Sequence, residues 1–307
     1  MDYIPIRLNT LRPNATVLFD VYIYIASKQI HYIKKSGIFD SDRLANLKVK
    51  GVKKLYVKKD EEELYLKYLD EGLNVLTQKN IDLKQRGEMS YDTLVTDAEN
   101  AERNLETEQG YKAITARVGK IIDFLGSEKG TLKSILDSAG VALDDYQHSA
   151  NVSSLSTALA LKVGKIPPRE VGDLSLAALL HDLGKSKLGI KGSQELSSLP
   201  PQQQKEYKKH PQLAVEMLSS KKYVTPTILR LISEHEELAE GKGYPERKNL
   251  LSLNVTSQIL SLCNQFDCYS MLKKTPPSES FKGFFQDKSQ FFDAEHMALL
   301  GELLAGN

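Results

Sequence analysis

The chain has 307 residues, enough for two ordinary domains, and its 41% hydrophobic and 26% charged residues are typical of a soluble globular protein. Its net charge of +1 gives no reason to expect nucleic acid or an anionic membrane as the main partner. The first residues lack the basic start and apolar core of a secretory signal, and no apolar run is long enough to span a bilayer, so we expect a cytoplasmic location.

Residues 1–100 predict a small mixed α/β domain followed by a connecting segment. Runs of β-branched and aromatic residues predict strands at 17–25, 29–33 and 54–57. Capping residues and helical periodicity predict helices from 40 or 41 to before 51, and over 61–76. Because no histidine, cysteine or paired-carboxylate cluster occurs in this region, its default role is regulation or interaction. Residues 80–110 are polar and predict a partly helical connection.

From about residue 111 the sequence predicts an all-α domain, to which we assign residues 101–307. Proline and glycine breakers separate the periodic segments. The predicted helices are 112–126, 131–138, 144–164, 169–185, 202–209, 211–221, 226–238, 252–272 and 288–304. Cys263 and Cys268 lie five residues apart on one of them, so their side chains point in different directions, and the spacing suits neither a disulfide nor a zinc site.

Four of the six histidines fall at informative places in the helical domain: His148, His181, His210 and His235. His181 is followed directly by Asp182, whose carboxylate has two oxygens and can bridge two cations. Lys185 follows four residues after His181, on the same face of the predicted helix, where a cation beside a metal cluster can bind phosphate. A lone histidine is more often a core or surface residue, but this ordered set favours a metal site.

Several strings together resemble the HD-GYP class of the HD superfamily. Residues 178–185 (ALLHDLGK) are similar to the HD signature, and 240–245 (EGKGYP), after 234–236 (EHE), are similar to the HHExxDGxGYP signature. Residues 146–149 (YQHS) resemble the opening histidine motif, and 209–211 (KHP) resemble its KxHP step. The resemblance covers roughly 140–290, about half of the chain.

The resemblance implies a helical bundle around two transition metals, iron or manganese, that hydrolyses cyclic di-GMP. The implied metal ligands are His148, His181, Asp182, His210, His235 and, at the position of the family's last carboxylate, Asn264. It further implies that Asp182 bridges the metals, that Asp182 and Lys185 are catalytic, and that Lys185, Tyr244 and Lys273 bind substrate. Asp267 matches a second acid that is mainly structural in the family.

The chain departs from the family pattern at positions that matter for the metals. Glu234 stands where the family has the first of two histidines, and Asn264 replaces a carboxylate with a neutral, weaker ligand. We expect one metal to be held less tightly, unless Glu234 restores the negative charge from the opposite wall. Lys273 replaces an arginine and cannot grip phosphate through two parallel hydrogen bonds.

Two functions therefore stay open at the level of sequence. One is an active phosphodiesterase on cyclic di-GMP or a related cyclic dinucleotide. The other is a catalytically weak domain that acts as a receptor or docks a signalling protein through the GYP loop or the N-terminal domain. The histidines and the HDxGK string favour the enzyme, whereas the departures favour the receptor. A phosphohydrolase acting on another nucleotide is disfavoured by the GYP loop.

Overall fold

A computed structural model describes residues 2–189 and 196–306. The chain divides into two compact units, Met1–Thr96 and Asp97–Asn307. The predicted fold class, a mainly helical protein with a small mixed α/β part at the N-terminus, is confirmed. Within the two described ranges, no helix combines the length and apolar character needed to cross a membrane.

The N-terminal unit is built on antiparallel strands. Its strands are β1 (Tyr3–Arg7), β2 (Ala15–Thr16), β3 (Val21–Ile25), β4 (Lys28–Ile33), β5 (Ile38–Phe39) and β6 (Lys54–Lys58). Four of them form a sheet in the order β1-β6-β3-β4, while β2 pairs with β5. The helices α1 (Ser41–Val49) and α2 (Glu62–Gly72) complete the unit, and Phe19 packs edge-on against Tyr65 and Tyr68 in its core.

Several features differ from the sequence prediction: the strand predicted over 17–25 begins only at Val21, and β2 and β5 were not predicted. The sequence did not predict β1, which contains Pro5 and lies at an edge of the sheet, where a missing backbone donor is tolerated. The segment 80–110, predicted as a partly helical connection, contains the 17-residue helix α3 (Leu83–Glu99), which runs across the boundary between the units, and the short helix α4 (Ala101–Asn104).

The C-terminal unit is a helical bundle centred on one helix. Its helices are α5 (Glu108–Ser127), α6 (Thr131–Ala139), α7 (Asp145–Val163), α8 (Pro168–Leu180), α9 (Pro201–Tyr207), α10 (His210–Ser219), α11 (Pro226–Glu234), α12 (Val255–Lys273), α13 (Pro277–Lys288) and α14 (Ala294–Leu304). Helix α7 contacts α5, α6, α8, α12 and α14. Small residues such as Ala150, Ser153 and Ser154 are buried along it and let neighbouring helices approach closely.

The helix ends nearest the histidines were predicted too late in the chain. The helix predicted over 169–185 ends at Leu180 and is followed by a 3-10 turn from Leu183 to Lys187. The helix predicted over 226–238 ends at Glu234. The helix predicted over 288–304 begins only at Ala294, and α13 was not predicted, because Pro277 starts a helix rather than only breaking the chain.

Candidate metal centre

The ring nitrogens of four buried histidines meet inside the C-terminal unit. His148 lies on α7, His181 follows α8, His210 begins α10 and His235 follows α11. The Nε2 atoms of His148 and His181 are 3.2 Å apart, and those of His210 and His235 are 2.9 Å apart. The sequence-predicted histidines are thus brought together as two pairs.

Asp182 lies between the two pairs. Its Oδ2 is 3.3 Å from Nε2 of His181, and its Oδ1 is 3.3 Å from Nε2 of His210. Within each group of Asp182 and one histidine pair, the potential ligand atoms all lie within 4.8 Å of one another. Oδ1 is buried and has no hydrogen-bond partner among the described residues. An unsatisfied buried carboxylate oxygen beside imidazole nitrogens suits a metal ligand, so the residues fit a metal site.

The other ring nitrogen of each histidine is held by a hydrogen-bond acceptor. Nδ1 of His181, His210 and His235 donates to the backbone carbonyl three residues earlier, at 2.7 Å in each case. Nδ1 of His148 instead lies 2.7 Å from the carboxylate of Asp267. With Nδ1 carrying the proton, each Nε2 is available as a metal ligand. Burial lowers the pKa of His210 to about 3 and also lowers that of His235, which favours their neutral, ligating form.

Close packing at a glycine brings two of the motifs together. A Cβ on Gly184 would lie 2.1 Å from the carbonyl oxygen of His210 and 2.7 Å from the nitrogen of Ala214. Only glycine therefore lets the turn that follows Asp182 contact the start of α10. This contact places Asp182 beside His210.

Lys185 is tied to the cluster through Asp182. Its Nζ is 2.6 Å from Oδ2 of Asp182 and lies 5.2 Å over the ring of Tyr207. Burial alone would raise the pKa of Asp182 and lower that of Lys185. The charges of His181 and Lys185 nevertheless hold the Asp182 pKa well below its usual range. The charge of Asp182 in turn raises the Lys185 pKa well above the usual value for lysine. The expectation that Lys185 shares a regular helix face with His181 was wrong, because this segment is a 3-10 turn.

Helix α12 lines the His148 side of the centre. Asn264 Oδ1 is 3.0 Å from Nε2 of His148, so this neutral side chain does lie beside the cluster. Asp267 faces the opposite side of the His148 ring and also accepts a hydrogen bond from Asn151 at 2.8 Å. Asp267 therefore orients His148.

Of the two glutamates that flank His235, the second one faces the centre. Glu236 Oε1 lies 3.9 Å from Nε2 of His210 and 3.8 Å from Nε2 of His235. Burial raises the pKa of Glu236 to about 7. Glu234 turns away and bonds to Lys248, at 2.8 Å, and to Ser257. The expectation that Glu234 restores charge at the cluster is thus not met, and Glu236 is a site residue that the sequence analysis did not assign.

A cavity of about 870 Å³ opens beside Glu236. Its walls include Tyr244, whose ring centroid is 6.2 Å from that of His210, and Lys273, whose Nζ lies 5.3 Å over the ring of Tyr269. Lys273 is exposed and lies at the cavity wall. Gly243 has to be glycine, because a Cβ there would lie 2.4 Å from the carbonyl oxygen of Glu236. Further cationic residues on the walls are Lys208, Lys242 and Lys288.

A helical bundle that buries paired histidines around a shared aspartate defines the class of HD-type metal-binding domains. The sequence model of the HD domain family matches residues 131–295. The chain belongs to this family and is an HD-GYP domain protein.

Two relatives support this assignment. The solved structure of Bd1817, an HDG"Y"P protein from Bdellovibrio bacteriovorus, matches with a TM-score of 0.80 and 28% identity, over 99% of this chain and 100% of that one. Cyclic di-GMP phosphodiesterase PA4108 from Pseudomonas aeruginosa is 27% identical over 122 residues, or 40% of this chain. That match spans 29% of the relative's own length.

Proposed function

We propose that this chain is a phosphodiesterase that hydrolyses cyclic di-GMP with two bound transition-metal ions, iron or manganese. The observation that carries the proposal is the position of Asp182, with one carboxylate oxygen facing each histidine pair. The similarity of the chain to cyclic di-GMP phosphodiesterase PA4108 supports the choice of substrate. His148, His181, Asp182, His210 and His235 would hold the ions, with Asn264 completing the His148 side.

In the proposed hydrolysis, the metal ions and the residues of the chain have different roles. Bound divalent ions would supply Lewis-acid activation of water and of the phosphodiester. Asp267 and the three backbone carbonyls keep the histidine rings fixed, so that no ligand has to reorganise during the reaction. Lys185 presents a cation at the edge of the cluster, where it can bind a phosphoryl oxygen.

We assign the rest of the substrate site to the 870 Å³ cavity, because Glu236 lies both on its wall and beside His210. The lysines on its walls, Lys208, Lys242, Lys273 and Lys288, offer positive charge to the two phosphates of a cyclic dinucleotide. Tyr244, beside His210, offers an aromatic face for a base. The lining therefore suits a ligand that is both anionic and aromatic.

A second candidate is a receptor that binds cyclic di-GMP or docks a signalling protein without turning the ligand over. The neutral Asn264 beside His148 favours this reading, because a site with fewer negative ligands holds its metal less tightly. We further propose a regulatory or interaction role for the N-terminal domain, since among the described residues both candidate metal-ligand groups lie in the C-terminal unit.

Turnover decides between the two candidates. The full chain, purified without oxygen and supplied with iron or manganese, is incubated with cyclic di-GMP, and nucleotides are separated by chromatography. We expect linear dinucleotide or GMP from the wild type and neither from Asp182→Ala. Bound but unchanged cyclic di-GMP would favour the receptor, whereas neither binding nor turnover would refute both the phosphodiesterase and the cyclic di-GMP receptor and leave the protein-docking role.

A further inference from the structure

The thiol of Cys268 lies next to the candidate metal centre. Its Sγ is 3.9 Å from Nε2 of His148 and 3.7 Å from Oδ1 of Asn264. Cys268 follows Asn264 by four residues on α12, so the two side chains share one face of the helix. The half-buried thiol also lines the 870 Å³ cavity.

Other potential metal-ligand atoms surround His148 next to the thiol of Cys268. Nε2 of His148 has His181 Nε2 at 3.2 Å, Asn264 Oδ1 at 3.0 Å and Asp182 Oδ2 at 3.7 Å. His148, His181 and Asp182 also form one of the two candidate metal-ligand groups among the described residues, with ligand atoms within 4.8 Å of one another. This group indicates a metal ion on the His148 side independently of Cys268.

The charges of the two halves of the centre differ. The His210 and His235 half has Glu236 within 3.9 Å of each Nε2 atom, in addition to the shared Asp182. Among the described residues, Asp182 is the one carboxylate that faces the His148 half, because Asp267 bonds to Nδ1 on the far side of the ring. Asn264 adds an oxygen without a charge. A thiolate at Cys268 would supply the negative charge that this half lacks.

We propose that Cys268 is a ligand of the metal ion on the His148 side, which makes that position a mixed nitrogen, oxygen and sulfur site. The inference rests on the metal centre of the proposed function. In the binding step the S–H bond breaks, its proton passes to solvent, and sulfur bonds to the ion, with no electron transferred. A sulfur ligand shifts the preference of this position towards zinc and iron and away from magnesium or manganese.

The distances among three of the donor atoms are close to what one ion requires. Metal–nitrogen and metal–sulfur bonds of about 2.0 and 2.3 Å in a tetrahedral site place two ligand atoms roughly 3.4–3.6 Å apart. The triangle formed by His148 Nε2, Asn264 Oδ1 and Cys268 Sγ has sides of 3.0, 3.7 and 3.9 Å. The thiol moves by rotation about a single side-chain torsion, so a small adjustment suffices.

The other cysteine provides a matched control. Cys263 lies on the same helix but is fully buried, and burial raises the pKa of its thiol to about 12. Its thiol forms a hydrogen bond with Ser156, a residue of α7 that is not among the proposed metal ligands. Replacing Cys263 by serine therefore removes a thiol from the same helix and keeps a group that can bond to Ser156.

X-ray absorption of the zinc-loaded full chain tests the proposal. We expect a zinc–sulfur distance of about 2.3 Å in the wild type and in Cys263→Ser, and its loss in Cys268→Ser and Cys268→Ala. We also expect one of two zinc ions to bind at least about tenfold more weakly in the Cys268 variants. Circular dichroism checks that each variant is folded. If the Cys268 variants do not fold, the sulfur signal of Cys263→Ser, whose single thiol is Cys268, decides.

The outcomes separate this inference from the proposed function. Zinc bound with nitrogen and oxygen neighbours alone would overturn the role of Cys268 and leave the phosphodiesterase proposal standing. A sulfur neighbour that survives in Cys268→Ser would overturn it as well. A protein that binds no metal refutes both proposals. A sulfur signal without turnover of cyclic di-GMP supports the Cys268 ligand and refutes the phosphodiesterase.

Discussion

Nζ of Lys185 lies 2.6 Å from Oδ2 of Asp182, the carboxylate oxygen that faces His148 and His181. The carboxylate of Asp182 therefore pairs with Lys185 and also faces the candidate metal position. A cation adjacent to this position attracts phosphate while it competes with the metal for Asp182. Removing the charge of Lys185 should thus affect the ligand and the metal in opposite directions.

We expect Lys185→Met to retain both metals and to bind cyclic di-GMP more weakly. Methionine keeps an unbranched side chain of similar length at this buried position and removes the charge. Loss of one charge-assisted hydrogen bond to phosphate should cost about 1.5–3 kcal/mol of binding free energy. Isothermal titration calorimetry measures the change. The control is Lys187→Met, since Lys187 is exposed and pairs with Glu102 at 2.8 Å. Equal affinity in both variants would mean that Lys185 does not contact the phosphate.

Replacing Asp182 by asparagine should empty both metal positions together. Each of its oxygens lies 3.3 Å from a histidine of a different pair, and asparagine has neither the charge nor the second oxygen needed to bridge two ions. The helical content should persist, because the bundle is held by buried residues such as Leu179 and Leu180. Elemental analysis and circular dichroism check both points. A variant that keeps one full equivalent of metal would show that the two positions are independent.

The two glutamates beside His235 offer a matched comparison. Glu236→Gln should weaken metal binding at the His210 and His235 side by about 10–100-fold, because the carboxylate lies within 3.9 Å of both Nε2 atoms. Glu234→Gln should leave metal affinity unchanged, because Glu234 is paired with Lys248 and Ser257. Competition with a chelator gives both affinities. The reverse order would mean that the end of α11 has a different orientation from the one described.

The orientations of the two glutamates beside His235 could not be predicted from the sequence. Helix α11 ends at Glu234, so the next two residues no longer follow helical spacing, and periodicity cannot tell which glutamate turns inward. The histidines themselves were found from their order along the chain and their motifs. Their pairing depends on contacts between distant segments, such as Gly184 against the carbonyl of His210, which one sequence does not display.

Asp92 should make the N-terminal unit more stable at acidic than at neutral pH. Its buried carboxylate accepts a hydrogen bond from the backbone of Asn9 at 3.1 Å, and burial raises its pKa to about 6 from the ordinary 3.8. Since the folded state holds the proton more tightly, this stabilisation is full below the unfolded pKa and is lost as pH rises through about 6. Its size is at most about 3 kcal/mol.

We therefore expect Asp92→Asn to gain stability relative to the wild type as pH rises from 4 to 7, by up to about 3 kcal/mol. Urea unfolding at several pH values measures the difference. Asp60→Asn, at an exposed position, should keep the wild-type pH profile. Parallel profiles for wild type and Asp92→Asn would mean that the carboxyl is not perturbed in the folded protein.

Helix α3 shows why composition misled the sequence analysis. The segment around it was predicted as a polar connection, yet Ser90, Thr93 and Thr96 are buried. Their hydroxyls donate to the carbonyls four residues earlier, at 2.7–3.0 Å. A helix that satisfies its polar side chains with its own backbone can pack inside a protein while its sequence still suggests exposure.

The layer of buried histidines, Asp182 and Lys185 also has a consequence for how the folded chain opens. Polar side chains add little hydrophobic stabilisation where they replace apolar ones, so the metal-free bundle should open locally at this layer before it unfolds as a whole. Ions that bind only the closed form shift this opening equilibrium by RT ln(1 + [L]/Kd). Amide hydrogen exchange at the ends of α8 and α11 should then slow when metal is added, with α1 and α2 as internal standards.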